Sequence, residues 1–401
     1  MTTTSLPPTG ITSLDLSSSA THAPAAQQAT ATLTEPLEPT RLRKAFTAYT
    51  TRFVAAAIDA SADGYHLEHG TGVTPRAGDV VLARVTEIGK HTRLESPVSR
   101  RQLLFPGQEI LVAYGDRYAP DQFLAHVPDA LTTTNLVAAG GVAGDVIEMH
   151  ASIDTATVIE PIGLLADRWG RVTLDRFAPL GSHAVPSLDH PVTSTGPDAP
   201  RPSVIAVFGS SMNSGKSTVL GSIVNGLANA GLEVAAGKST GTGAGNDPNQ
   251  FRDAGATAVL DFTDFGHPTT FTLGHERIRE IFVDMVDALA ATGPDVVVIE
   301  VADGVYQEET RRLLEDPAFH DRVDRVVFAS QDALGAVAGL QVLDAAGVTT
   351  AAVSGVVTSS PLATREAAEV LTVPVIDTFA LRDPAVALGL VPNLQPAQQA
   401  S

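Results

Sequence analysis

The sequence contains no cysteine, which excludes disulfides, thiolate metal sites and a cysteine nucleophile, and suits a reducing compartment. Aromatic residues are only 5% of the 401, with a single Trp, so the core that 44% hydrophobic content allows must be built mainly from Ala, Val, Leu and Ile. Positive charge is scarce: 26 Lys and Arg face 45 Asp and Glu, a formal net charge of -19. Such a surface repels phosphate backbones and anionic lipid, which argues against broad nucleic-acid or membrane binding. No run reaches the roughly 18 apolar residues needed to span a bilayer, and the N-terminus lacks a basic stretch followed by an apolar one. The expected location is the cytoplasm.

Residues 1–38 are rich in Thr, Ser, Ala and Pro without helical or strand period, and read as a disordered tail. In 39–66, Leu42, Phe46, Tyr49, Phe53 and Ala57 recur at three- and four-residue steps, which predicts one amphipathic helix with Arg41, Arg43, Lys44 and Arg52 solvated around the stripe. Residues 67–182 carry short apolar runs punctuated by Gly and Pro, among them 80–85, 102–105, 109–114, 137–142, 146–150 and 171–174. They predict a small β-rich domain, a barrel or a sandwich. The Pro-rich stretch 183–202 reads as a linker, and 392–401 as a C-terminal tail. Between them, 203–391 alternates apolar strands with helical patterns, the signature of an α/β domain whose mostly parallel sheet is covered on both faces.

The chemistry concentrates at the start of that domain. The strand Val204 to Phe208 runs into Gly209-Ser210-Ser211-Met212-Asn213-Ser214-Gly215-Lys216-Ser217-Thr218 and then a helix with Val219, Ile223 and Leu227 on one face. Strand, glycine-containing turn, Gly-Lys-Ser and helix in that order specify a nucleotide phosphate loop. Backbone N–H groups of Gly209, Asn213, Ser214 and Gly215 would cradle phosphate at the helix N-terminus, and Lys216 would add charge at the β and γ phosphates. Ser217 would ligate Mg²⁺ and Thr218 would bond the α-phosphate. Ser210 stands where the usual first glycine would be, so the spacing is a variant. At the end of the strand 295–299, Glu300 occupies the place where open α/β sheets present ligand-contacting residues, followed by Asp303-Gly304. Its carboxylate is the second expected Mg²⁺ ligand.

With these motifs, 203–380 resembles the P-loop class, of the SIMIBI type, that contains dethiobiotin synthetase, the cobyrinic acid amide synthases and the molybdopterin-guanine dinucleotide adaptor protein. Lys238-Ser239-Thr240-Gly241 is similar to the segment with which dethiobiotin synthetases hold substrate beside the γ-phosphate, though its proline is missing. That resemblance implies a catalytic Lys238 facing the acceptor. Asp247, followed by Arg252-Asp253-Ala254-Gly255-Ala256, resembles the adaptor family and implies a third metal ligand. A turn or helix-capping role accounts for Asp247 equally.

Other polar residues are less telling. Gln331 and Asp332 follow the strand 326–329 and suit either γ-phosphate sensing or, for Asp332, helix capping. Thr358 and Ser359 stand where related enzymes carry a base-reading asparagine, so adenine and guanine remain equal candidates. His267 and His275 show no metal-ligand spacing and read as surface or capping residues. In the β-rich domain, Tyr114-Gly115-Asp116-Arg117-Tyr118-Ala119-Pro120 and Ala139-Gly140-Gly141-Val142-Ala143-Gly144 suit turns and domain packing, or the far wall of a substrate site.

The expected activity is therefore Mg²⁺-dependent transfer of the ATP γ-phosphoryl group to a small polar or anionic acceptor, as kinase or carboxylate-activating ligase, with Lys216, Lys238 and Glu300 catalytic. The rival expectation is a GTP-binding adaptor coupled to a partner enzyme. A polynucleotide 5′-kinase is disfavoured by the acidic charge, and an acyltransferase could use the same fold. A homodimer is the further association considered.

Overall fold

The segments Ser203–Gly209 and Val296–Glu300 are almost wholly aliphatic, and a strand apolar on both sides has to be covered on both faces. In the computed structural model, which describes residues 31–182 and 201–392, that is what they do. The six strands Ala258–Asp261, Val234–Lys238, Val296–Glu300, Ser203–Gly209, Arg325–Ala329 and Thr350–Ser354 lie side by side in this order, every neighbouring pair parallel. Val204, Ala206 and Phe208 face one core, roofed by the helices His275–Ala290 and Ala333–Ala345. Ile205 and Val207 face the other, under the helix Lys216–Asn229. The sheet is therefore a packed middle layer, and its strands deliver Gly209, Lys238, Asp261, Glu300 and Ala329 to one edge.

The N-terminal part is a barrel. Thr157–Asp167, Val80–Glu87, Glu109–Tyr114, Val142–Met149 and Thr134–Ala138 pair in a closed circuit, so none of them presents an open edge inside the ring. Val81, Ala83, Val85, Ile110 and Val112 fill one side, and Val80, Leu82, Leu111 and Ala113 pack the other against Leu42, Val54 and Ile58. The longest strand, Thr157–Asp167, is not among the expected ones. Pro161 and Gly163 interrupt its apolar pattern, and the register shifts between them where it pairs with Val80–Glu87.

Three expectations are corrected. The single helix over 39–66 is two short helices, Pro39–Lys44 and Arg52–Ala60, because Phe46 and Thr47 find strand partners at Ile110 and Leu111. Residues 1–30 lie outside the described residues, but the expected tail ends early, since Leu33–Pro36 pairs antiparallel with His66–His69. The strand expected over 137–142 is a turn between two strands, with Gly141 at φ +100°. The linker at 183–200 and the tail from 393 also lie outside the described residues.

Barrel and sheet meet along a polar seam. The Tyr49 hydroxyl donates to Asp261 Oδ2 at 2.6 Å, and Arg52 Nη2 donates to Asp264 Oδ1 at 2.7 Å. Arg52, expected in solvent, instead lies over the rings of Tyr49 and Phe53, 4.3 and 4.2 Å from their centroids. Gly140 allows direct backbone contact: a Cβ there would stand 1.9 Å from the Gly243 carbonyl oxygen.

Candidate functional site

The phosphate loop is built by a tight return of the chain after Phe208. Asn213 and Gly215 adopt φ of +61° and +96°, and the helix starts at Lys216. Gly209 explains the variant spacing, since a Cβ at this position would meet Ser214 Oγ at 2.3 Å and Lys216 Cγ at 2.9 Å. Ser210 N donates to the Ala329 carbonyl at 2.9 Å, tying the loop to the neighbouring strand. The hydroxyls of Ser210 and Ser214 are buried without a hydrogen-bond partner. Lys216 is only 5% exposed, and its Nζ donates to the carbonyls of Ser211 at 2.9 Å and Asp303 at 2.6 Å. Burial, the largest influence, lowers its pKa from the usual lysine value.

Glu300 and Lys238 are direct neighbours in the parallel register. Glu300 is 1% exposed; its Oε1 lies 3.5 Å from Lys238 Nζ, and its Oε2 has no partner. Lys238 Nζ also donates to Asp247 Oδ2. Burial opposes the lysine's charge, but Asp247 and Glu300 together hold its pKa above the ordinary range. The same ammonium overcomes burial at Asp247 and keeps that carboxyl below its usual value, whereas burial raises Glu300. Ser217, next to both carboxylates, acts to lower the pKa of each.

Ser217, Asp247 and Glu300 therefore converge, with the Lys238 ammonium among them. Two carboxylates and a hydroxyl form a hard oxygen set of the kind Mg²⁺ takes with phosphate oxygens and water, and the unpartnered Glu300 Oε2 is free to ligate. No cluster of three or more His, Asp or Glu residues suited to a metal occurs among the described residues. Lys238 differs from its expectation: its charge is committed to Asp247 and Glu300 before any acceptor arrives.

In front of the loop lies a cavity of about 1020 Å³. Met212, Asn213, Lys238, Asp247 and Asp303 form one side, while His91, Arg117, Gln122, Ala139 and Gly140 of the barrel form the other. Asn213 Nδ2 donates to Asp121 Oδ2 at 3.0 Å and fixes the barrel's hairpin against the phosphate loop. Both sequence segments noted in the barrel thus contribute to turns and to the cavity wall. Asp303 was visible in the sequence only as the companion of Glu300. In the fold, burial raises its pKa while Lys216, Lys238 and Arg117 act to lower it.

The remaining candidates have structural partners. Gln331 Nε2 donates to the Met212 carbonyl at 3.1 Å, and Asp332 caps its helix by accepting from Gly335 N at 2.6 Å. The Thr358 hydroxyl is taken up by the Gly355 carbonyl and Thr378. Thr218 is half-buried in the first turn of its helix, and Ser359 ends a short 3₁₀ turn. His275 bonds Asp316 at 2.7 Å, and His267, expected at the surface, accepts from Arg277 Nε at 2.9 Å in a setting whose burial lowers its pKa to about 4.

No family model matches the sequence, and no curated protein matches it. Among solved structures it is similar to the signal recognition particle receptor FtsY from Elizabethkingia anophelis, at 18% identity over 46% of this chain and 66% of that one, with a TM-score of 0.33. It is also similar to FtsY from Thermotoga maritima, at 17% over 47% and 70%, TM-score 0.32. A third is the 54 kDa signal recognition particle protein from Aeropyrum pernix in complex with GDP, at 19% over 53% and 43%, TM-score 0.29. The chain thus spans less than two thirds of the length of the first of these. Likeness of this degree transfers no ligand, activity or partner, and the narrower resemblance to dethiobiotin synthetases finds no support in it.

Proposed function

We propose that the chain is a Mg²⁺-dependent P-loop enzyme that transfers the γ-phosphoryl group of a nucleoside triphosphate, ATP in the first instance, to a small polar acceptor. The supporting observation is the large polar cavity that opens directly in front of the phosphate loop and is walled by the same chain's barrel. Ser217, Asp247 and Glu300 would hold Mg²⁺, which when bound neutralises charge on the β and γ phosphates. Lys216 would exchange its two loop carbonyls for phosphate oxygens, and the loop's backbone N–H groups would fix the chain of phosphates. An acceptor oxygen attacks phosphorus as the bond to the β-phosphate oxygen breaks, and Asp303, which lines the cavity, would take the acceptor's proton. The barrel wall would hold the acceptor in line with the breaking bond.

The second reading is a GTP-binding protein that hydrolyses its nucleotide for a partner. It is favoured by Lys238, whose charge is already offset by Asp247 and Glu300 before any acceptor anion arrives. Phosphate release measured with ATP and with GTP, alone and with pools of small acids and alcohols, separates the two. The enzyme reading expects at least about tenfold stimulation by one pool. A GTP preference without stimulation by any pool supports the second reading, and absence of Mg²⁺-nucleotide binding removes both.

A further inference from the structure

Several arginines of this acidic chain are paired, among them Arg41 with Glu109, Arg52 with Asp264, Arg171 with Glu68, and Arg176 with Asp167. The barrel wall of the cavity gathers cations without such partners. It presents Lys90, Arg93, Arg101 and Arg117 against the single acid Glu95, and none of the four has a carboxylate within 4 Å among the described residues. In a protein of net charge -19, the barrel wall alone is positive, and it faces Asp247, Asp253 and Asp303 across the cavity.

Arg117 is the unusual member. Lys90, Arg93 and Arg101 stand in solvent, where an unpaired charge costs little, but Arg117 is only 5% exposed. Its Nη2 donates to Gln122 Oε1 at 3.0 Å, and its Nε has no partner. A buried guanidinium with unfilled donors is costly unless an anion completes it. Its hairpin is the one fastened to the phosphate loop through Asp121 and Asn213, and Arg117 lines the cavity there, with Asp303 and Asp121 the acids that act on it.

We propose that the barrel wall is the acceptor site and selects a small polyanion, one of whose oxyanions docks on Arg117 while its further negative groups face Lys90, Arg93 and Arg101. This deepens the phosphoryl-transfer reading and rests on it. Planar, forked donors suit a carboxylate or a phosphate alike, so the shared chemistry is an oxyanion on a compact molecule bearing at least two negative charges.

The test uses the full chain, first saturated with AMP-PNP and Mg²⁺, then titrated calorimetrically with succinate, citrate and inorganic phosphate, and with neutral succinamide. Expected are citrate or phosphate binding tighter than succinate, no binding of succinamide, and at least about a tenfold loss of anion affinity in Arg117→Gln with AMP-PNP affinity retained. Phosphate binding without either carboxylate assigns the oxyanion to a phosphate ester, and the reverse assigns it to a carboxylic acid. If Arg117→Gln fails to fold, the exposed Arg93→Gln carries the test, with a loss of a few-fold for citrate. The proposal is overturned if loaded wild type binds none of the anions, if the variants bind them as wild type does, or if Arg117→Gln loses AMP-PNP affinity in parallel. Failure of wild type to bind AMP-PNP at all would instead remove the phosphoryl-transfer reading beneath it.

Discussion

Lys238 holds together what would otherwise be two buried acids. Without its ammonium, Asp247 and the buried Glu300 would face each other with no cation between them, and Asp247 would add to the burial that raises the Glu300 pKa. Lys238→Met should therefore lower stability at neutral pH by about 3 kcal/mol, the scale of a broken buried ion pair, and Mg²⁺ should restore part of the loss. Urea midpoints with and without Mg²⁺ measure this; an unchanged midpoint in the variant would contradict the geometry. Two histidines give a separate handle on pH. Burial first, then Arg117 beside His91 and Arg277 beside His267, lowers both rings from 6.5 to about 4. The unfolded chain takes up these protons first, so stability present at pH 7 is lost as pH falls from about 6.5 towards 4. Each ring contributes about 2 kcal/mol of that loss between pH 7 and pH 5. The His91→Gln/His267→Gln variant should lose less stability than wild type over this interval in urea titrations; an equal loss would place the acid sensitivity elsewhere.

At the scale of elements, the phosphate loop was readable because strand, turn and helix are contiguous, so local chemistry alone specifies it. Gly209 sharpens the point, for it is required by contact with Ser214 and Lys216 rather than by a positive φ. Gly209→Ala should cost at least about tenfold in nucleotide affinity, because the loop must open to admit the methyl group. Gly231→Ala, with nothing within 4 Å of its Cβ, should cost only the backbone strain of its φ of +87° and leave affinity as it is. Titration of both variants decides this, and equal affinity in the two would show that the loop tolerates the methyl. The strand Thr157–Asp167 was illegible for the opposite reason: a bulge around Pro161 and Gly163 hides its period, and only its partners on both sides define it. Phe46 and Thr47 fell to the same cause, a helical spacing overruled by pairing with residues more than sixty positions away.

For the whole molecule, the sequence separates two domains and offers the Tyr114–Pro120 and Ala139–Gly144 segments as a far wall only as one alternative to turns and packing. Arg117 and Asp303 belong to different domains and follow no motif spacing; the seam of Tyr49, Arg52 and Asn213 brings them to one cavity. The central claim is that this cavity opens onto a functioning phosphate loop. Calorimetric titration of the full chain and of Lys216→Ala with ATP and with GTP, in the presence of Mg²⁺, tests it most directly. Wild type should bind one of the two with at least about hundredfold higher affinity than the variant, while the variant still unfolds cooperatively, since the lysine bonds loop carbonyls and belongs to neither hydrophobic cluster. Equal affinities in wild type and variant, or no binding of either nucleotide by wild type, would contradict the account.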